Sequence, residues 1–155
     1  MTTALSQFTR LIDEAFNAGN LAVLDELVSP VFVEHQFESP EHPARVTGPA
    51  GVARIVTELR RGADDFHLAI EDVSVTGDTV WARLRGTGID TGGQLGQPPT
   101  RRPFQITVID IARFEGDQMV EHWGVPDRLA LLLQLGLFHS PQRDTRRAGA
   151  SAAAP

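Results

Sequence analysis

The stretch MVEHWGVPDRLALLLQLG, residues 119–136, brings His122, Trp123 and Asp127 together just ahead of a leucine-rich run. An imidazole suits proton transfer because its unperturbed pKa lies near neutrality, about 6.5. A carboxylate serves as general acid or base where its surroundings tune its proton affinity to the task. Each residue also has a plainer role. Asp127 directly precedes the helical pattern RLALLLQLG, and aspartate is a favoured N-cap. A helix N-terminus stabilises the charged carboxylate, whereas a general acid needs burial to keep its proton, so the two roles oppose each other. His122 can equally be a core imidazole satisfied by one hydrogen bond.

Asp110 is the residue the pattern flags most clearly. Its strand face reads Phe104, Ile106, Val108, Asp110, Ala112, Phe114, five apolar residues around one carboxylate. A carboxylate on such a face needs a partner, a raised pKa or a wet pocket. The following hairpin can supply the partner, depending on register. A three-residue loop, Glu115-Gly116-Asp117, sets Phe114 against Gln118 and Asp110 opposite His122. A two- or four-residue loop instead sets Asp110 opposite Trp123, because a slip of one residue turns every side chain to the other face. We expect the three-residue loop. An Asp110–His122 pair would orient the imidazole and raise its basicity, and would serve equally well as a buried structural bond.

Three further residues are candidates for a pocket wall. His35 shares the apolar face of its strand with Val31, Val33 and Phe37. Trp81 and Trp123 are the only tryptophans, each with a large apolar surface and one N–H donor. Either tryptophan would also suit a subunit interface, where aromatics are enriched. Arg83 and Arg85 share the Trp81 face and fit solvent or a subunit contact. No metal site is expected: short ligand spacings such as H-E-x-x-H are missing, and the histidines and carboxylates come from distant segments.

The elements that must position these residues follow from periodicity. Residues 3–18 carry Leu5, Phe8, Leu11, Ile12, Ala15 and Phe16 at helical spacing. Asn20 can cap a second short helix that stops before Pro30. VFVEHQF reads as a strand, the Pro- and Gly-rich segment after it as a loop, and Val52, Ile55, Val56 and Leu59 mark a third helix. Two hairpins follow, turning at Thr76-Gly77-Asp78 and Glu115-Gly116-Asp117, with an irregular loop over 90–103 between them. A helix over 127–138 closes the pattern. Helices followed by a run of strands predict an α+β fold, a cone-shaped curved antiparallel sheet with helices packed on one face. The hollow of such a cone suits a small apolar ligand.

Bulk composition narrows the function. A chain of 155 residues with 41% hydrophobic content fits one domain, here 1–139, with a flexible polar tail over 140–155. A net charge of −6 with no basic cluster disfavours nucleic-acid binding. Zero cysteines remove disulfides, thiolate metal sites and cysteine nucleophiles. Neither a signal peptide nor a membrane span is visible, so a cytoplasmic protein is expected.

Across nearly all of this pattern the chain resembles the SnoaL-like polyketide cyclases of the nuclear-transport-factor-2-like superfamily. The resemblance runs through FNAGNLAVLDELVSPVFVEHQF and GPAGVARIVTELR. It is most specific in RGTGIDTGGQLGQPPTRRPFQITVIDIARFEGDQMVEHWGVPDRLALLLQLG. It implies an internal pocket, no cofactor, a homodimer through the open sheet face, and an aspartate acting as acid/base in ring closure. By position in the terminal motif that aspartate would be Asp127. A ketosteroid-isomerase type of oxyanion site is not available, since there is no tyrosine. WARLRGTG lacks the aspartate of a limonene epoxide hydrolase-like pair.

The resulting expectation is a cofactor-independent cyclase of a polyketide or related secondary metabolite. Asp127, His122 and Asp110 would carry the proton transfer, and His35, Trp81 and Trp123 would shape the site. The alternatives are a non-catalytic small-molecule binder, or an epoxide hydrolase, isomerase or lyase using the same hollow.

Overall fold

A computed structural model describes residues 3–36, 45–93 and 97–138. The anticipated tail, 140–155, lies outside the described residues, as does Phe37.

Helix α1 (Thr3–Arg10) runs on as a π-helical stretch, Leu11–Asn17, where the sequence suggests one uniform helix. The wide turn is fixed at its end. The Asn17 amide bonds both the N–H and the carbonyl of Leu68, and Arg60 donates to the carbonyls of Phe16 and Asn17. Asn20 caps a 3₁₀ turn, Leu21–Val23, which leads into the one-turn helix α2 (Leu24–Leu27). Strand β1 (Val28–Glu34) comes next, then a two-residue strand β2 (Arg45–Val46) inside the segment read as loop. Helix α3 (Gly48–Gly62) precedes the long strands β3 (Ala63–Thr76) and β4 (Thr79–Asp90). Strands β5 (Pro103–Glu115) and β6 (Gln118–Pro126) form the second hairpin, and α4 (Arg128–Leu135) ends at Gly136 in the left-handed region. Among the described residues no helix is long and apolar enough to cross a membrane.

The six strands lie in the order β2-β1-β6-β5-β4-β3. The α+β cone is as expected, but the sheet is mixed rather than antiparallel throughout. Strand β1 pairs with β6 in parallel, because the chain crosses the cone before β6 is laid down. That pairing sets Glu34 beside His122. The helices cover one face, and the core between them holds Phe8, Ile12, Leu24, Leu27, Phe32 and Phe114, each almost fully buried.

The register of the β5–β6 hairpin differs from the expected one. The turn is Gly116-Asp117, with Glu115 paired to Gln118. Gly116 has φ +60°. Glycine first with positive φ is the pattern of a two-residue type II′ connection, whose twist matches the strands. By itself that turn would put Asp110 opposite Trp123. A bulge then intervenes: Arg113 pairs with Glu121 but Phe114 pairs with Met119, so Val120 is an extra residue in β6. Beyond it Ala112 faces His122 and Asp110 faces Gly124. The two-residue turn and the bulge each shift the strand by one, so Asp110 and His122 share a face as diagonal neighbours.

Candidate active site

Between helices and sheet lies a chamber of about 720 Å³, within the usual size of a small-molecule site. Its wall is largely apolar and aromatic, with Phe16, Phe32, Phe66, Phe104, Ile106 and Met119 among the lining residues. Among its polar lining residues Glu34, Gln36, Asp110 and His122 are buried or half-buried, which marks the closed end, and Glu58, Arg61 and Arg128 are exposed, which marks the open end.

The closed end holds a carboxylate–imidazole–carboxylate row. His122 Nδ1 lies 2.9 Å from both Glu34 oxygens, and Nε2 lies 3.4 Å from Asp110 Oδ1. The side chains of His122, Asp110 and Glu34 are 14%, 12% and 11% exposed. Burial alone would push the imidazole pKa down. The Asp110 and Glu34 carboxylates outweigh that effect and raise it to about 10. At neutral pH His122 is therefore an imidazolium, and it is not the free base that its type suggests. In that state both ring nitrogens carry hydrogen and neither can accept a proton.

Glu34 is the member that the sequence reading passed over. In VFVEHQF both alternating faces contain apolar residues, so the inner face cannot be read from that segment alone. The structure buries Phe32 and points Glu34 and Gln36 into the chamber. Val31 is 65% exposed. The signal available was the one that singled out Asp110: a carboxylate alternating with a large apolar residue.

The other predicted residues lie elsewhere. His35 is on the outer face of the sheet. Its ring stacks on Trp123 with centroids 4.5 Å apart and planes 9° from parallel. Its Nε2 is 3.5 Å from Glu121 Oε1. Glu121 in turn pairs with Arg113, and chiefly for that reason its pKa lies below the ordinary carboxylate value. Trp123 alternates with His122 along β6 and so cannot share its chamber. Trp81 is 50% exposed, between the buried Val80 and Ala82 of β4. None of these three lines the chamber, and their assignment as substrate-binding residues is corrected by strand parity.

Asp127 is the N-cap of α4. Its Oδ1 accepts from the Ala130 N–H at 2.9 Å, and its own N–H donates to the Thr107 carbonyl at 2.9 Å. The side chain is exposed and outside the chamber lining. Gln134 completes the docking of α4, its amide exchanging two hydrogen bonds with the backbone of Gln105. The terminal aspartate thus positions a wall of the chamber, and the enclosed carboxylates are Asp110 and Glu34. Among the described residues no group of three or more His, Asp or Glu side chains is arranged to hold a metal ion.

A curved sheet backed by helices around an apolar chamber defines a class, the nuclear-transport-factor-2-like cones. The family model for SnoaL-like polyketide cyclase matches residues 6–135, and the chain belongs to that family of enzymes. It is similar to the nogalonic acid methyl ester cyclase of Streptomyces nogalater, at 29% identity over 79% of this chain and 90% of that protein. Among solved structures it is similar to IdmH of Streptomyces antibioticus, assigned as a polyketide cyclase. The identity is 31%, the TM-score 0.74, and the match covers 87% of this chain and 99% of IdmH. TsrD of Streptomyces laurentii aligns with a TM-score of 0.76 at 26% identity, over 88% of this chain and 96% of its own.

Proposed function

We propose that this polyketide cyclase closes a ring by cofactor-independent intramolecular aldol addition, with Asp110 as the proton-transferring carboxylate. The reading rests on one observation: Glu34, His122 and Asp110 stand in a hydrogen-bonded row in the wall of a largely apolar chamber. The Asp110 carboxylate takes a proton from a carbon next to a substrate carbonyl. The resulting enolate carbon attacks a second carbonyl carbon of the same molecule, forming the new C–C bond. The alkoxide formed there takes a proton back from Asp110, so product and substrate are isomers and no oxidant is consumed. A positioned base and a folded substrate suffice for such chemistry. The His122 imidazolium holds Asp110 in place and sets a positive charge near the developing anion. Glu34 keeps that imidazolium charged and oriented from its other side.

The similarity to a nogalonic acid methyl ester cyclase supports a polyketide methyl ester as substrate. A direct trial incubates the purified protein with nogalonic acid methyl ester and follows product by chromatography and mass spectrometry. The expected product has unchanged mass and a shifted retention time, and its formation is lost in Asp110→Asn. Unchanged substrate, or full activity in Asp110→Asn, would reject the reading.

We also infer a cytoplasmic homodimer formed through the outer sheet face. There Val31, Trp81, Ile109 and Val125 are exposed beside the His35–Trp123 stack. Aromatic and aliphatic side chains gathered on one face are typical of subunit contacts.

A further inference from the structure

The row at the closed end leaves one requirement of the proposed reaction unmet. When Asp110 removes a proton, negative charge develops on the neighbouring carbonyl oxygen, and that oxygen needs a hydrogen-bond donor. His122 is cationic, but both ring nitrogens are committed: Nδ1 faces Glu34 and Nε2 faces Asp110. The Thr91 hydroxyl donates to Asp64. Arg61 and Arg128 are exposed side chains at the open end.

Among the described residues, Gln36 is the remaining polar side chain at the closed end. Its backbone N–H donates to Glu34 Oε1 at 2.9 Å, which ties its position to the row itself. Its side-chain amide lies over Gly124, the residue directly across from Asp110. A Cβ at Gly124 would stand 2.7 Å from Gln36 Oε1, 3.1 Å from its Cδ and 2.8 Å from His122 Cε1. Such distances are below van der Waals contact, so a side chain at this position would push the amide or the imidazole aside, and glycine lets both stay where they are. The amide oxygen faces Gly124, which leaves its NH₂ on the side away from that strand. Among the described residues this amide makes no hydrogen bond.

We propose that the Gln36 side-chain amide is a further catalytic residue, the donor to the carbonyl oxygen that becomes the enolate. The inference rests on the aldol reading above and adds the group that stabilises its anionic intermediate. The site then divides the work. Asp110 moves the proton, Glu34 and His122 hold Asp110, and Gln36 receives the oxygen.

The test uses 2-acetylnaphthalene, an acceptor-only ketone with an enolisable methyl group. Its control is 2-isopropenylnaphthalene, which has the same shape with CH₂ in place of oxygen. Affinities for both probes and deuterium uptake into the ketone methyl in D₂O are measured for the wild type and for Gln36→Met, a substitution of similar length and volume. Gln36→Asn, Gly124→Ala and Asp110→Asn complete the set. The wild type is expected to bind the ketone at least tenfold tighter than the hydrocarbon. Gln36→Met should erase that preference while leaving hydrocarbon affinity within about twofold. Loss of one such donor typically slows the chemical step about 10²- to 10³-fold, and deuterium uptake should fall accordingly. Gly124→Ala should reproduce the effect with the amide intact, and Gln36→Asn should fall between wild type and Met.

A wild type without ketone preference, or a Gln36→Met variant that keeps it, overturns the proposal. If Gln36→Met fails to bind even the hydrocarbon, Gln36→Asn and Gly124→Ala decide in its place. Ketone preference that depends on Gln36, with deuterium uptake unaffected by Asp110→Asn, would instead reject Asp110 as the base and leave the Gln36 contact standing.

Discussion

The two faces of the sheet use the same residue types to opposite ends. On the outer face, Arg83 and Arg85 pair with Glu71, and Arg113 pairs with Glu115 and Glu121. These charges are partly or largely solvated, and such pairs add little to stability individually. On the inner face a single histidine is set between two carboxylates in a largely apolar enclosure, and its pKa moves from 6.5 to about 10. Adjacent residues of one strand illustrate the contrast: Glu121 and Trp123 point outward, and His122 points in. What sets the inner group apart is that its two carboxylate contacts act in an enclosure with little water, where each electrostatic contact is stronger.

The sharpest way to break the contrast is to remove charge from the inner face. Asp110→Asn should lower turnover by about 10²- to 10⁴-fold, the usual range for a lost general acid/base, measured as kcat on the cyclisation substrate. Glu34→Gln sharpens the contrast through pH. Because the pKa of His122 is raised on folding, its contribution to stability is fully present below about 6.5 and is lost as pH rises through about 10. The wild-type thermal midpoint should therefore fall over that window. In Glu34→Gln the fall should be smaller and end at lower pH, as seen by calorimetry across the same range.

Changes outside the chamber should act on other quantities. Asp127→Ala removes the α4 cap and should cost about 1 kcal/mol of stability by chemical denaturation, with kcat within about threefold of wild type. An activity loss matching Asp110→Asn would return the terminal aspartate to the chemistry. Trp81→Ala should leave kcat within about twofold, since surface changes away from a site have small effects. If the outer face is the dimer contact, that variant should shift sedimentation toward monomer.

The sequence makes the helices, the two hairpins and the inner face of β5 readable, because each rests on local periodicity over many residues. From Phe104 to Phe114 every second residue but Asp110 is apolar, and that one carboxylate stands out. Other features depend on distant partners. Val33 in β1 finds Glu121 in parallel β6, a pairing no local pattern encodes. Val-Phe-Val-Glu-His carries apolar residues on both faces, so the inner one is decided only by what packs against it. For that reason the segment alone points His35 inward and gives no sign of Glu34, whereas the fold turns them the other way. The Val120 bulge is also silent, since an extra valine looks like any strand residue. The shared face of Asp110 and His122 was anticipated through a three-residue loop and arises instead from a two-residue turn plus that bulge. Asp127 remained ambiguous because a cap and a pocket acid call for the same residue, and exposure separates them.

The ionisation of His122 in its enclosure underlies the proposed chemistry. A ¹⁵N NMR titration of the histidine rings from pH 5 to 11 reads it without any substrate. Both nitrogens of His122 should be protonated at pH 8, with a midpoint near 10 that falls in Glu34→Gln and in Asp110→Asn. A neutral His122 at pH 8, titrating near its ordinary 6.5 and indifferent to both substitutions, would contradict it.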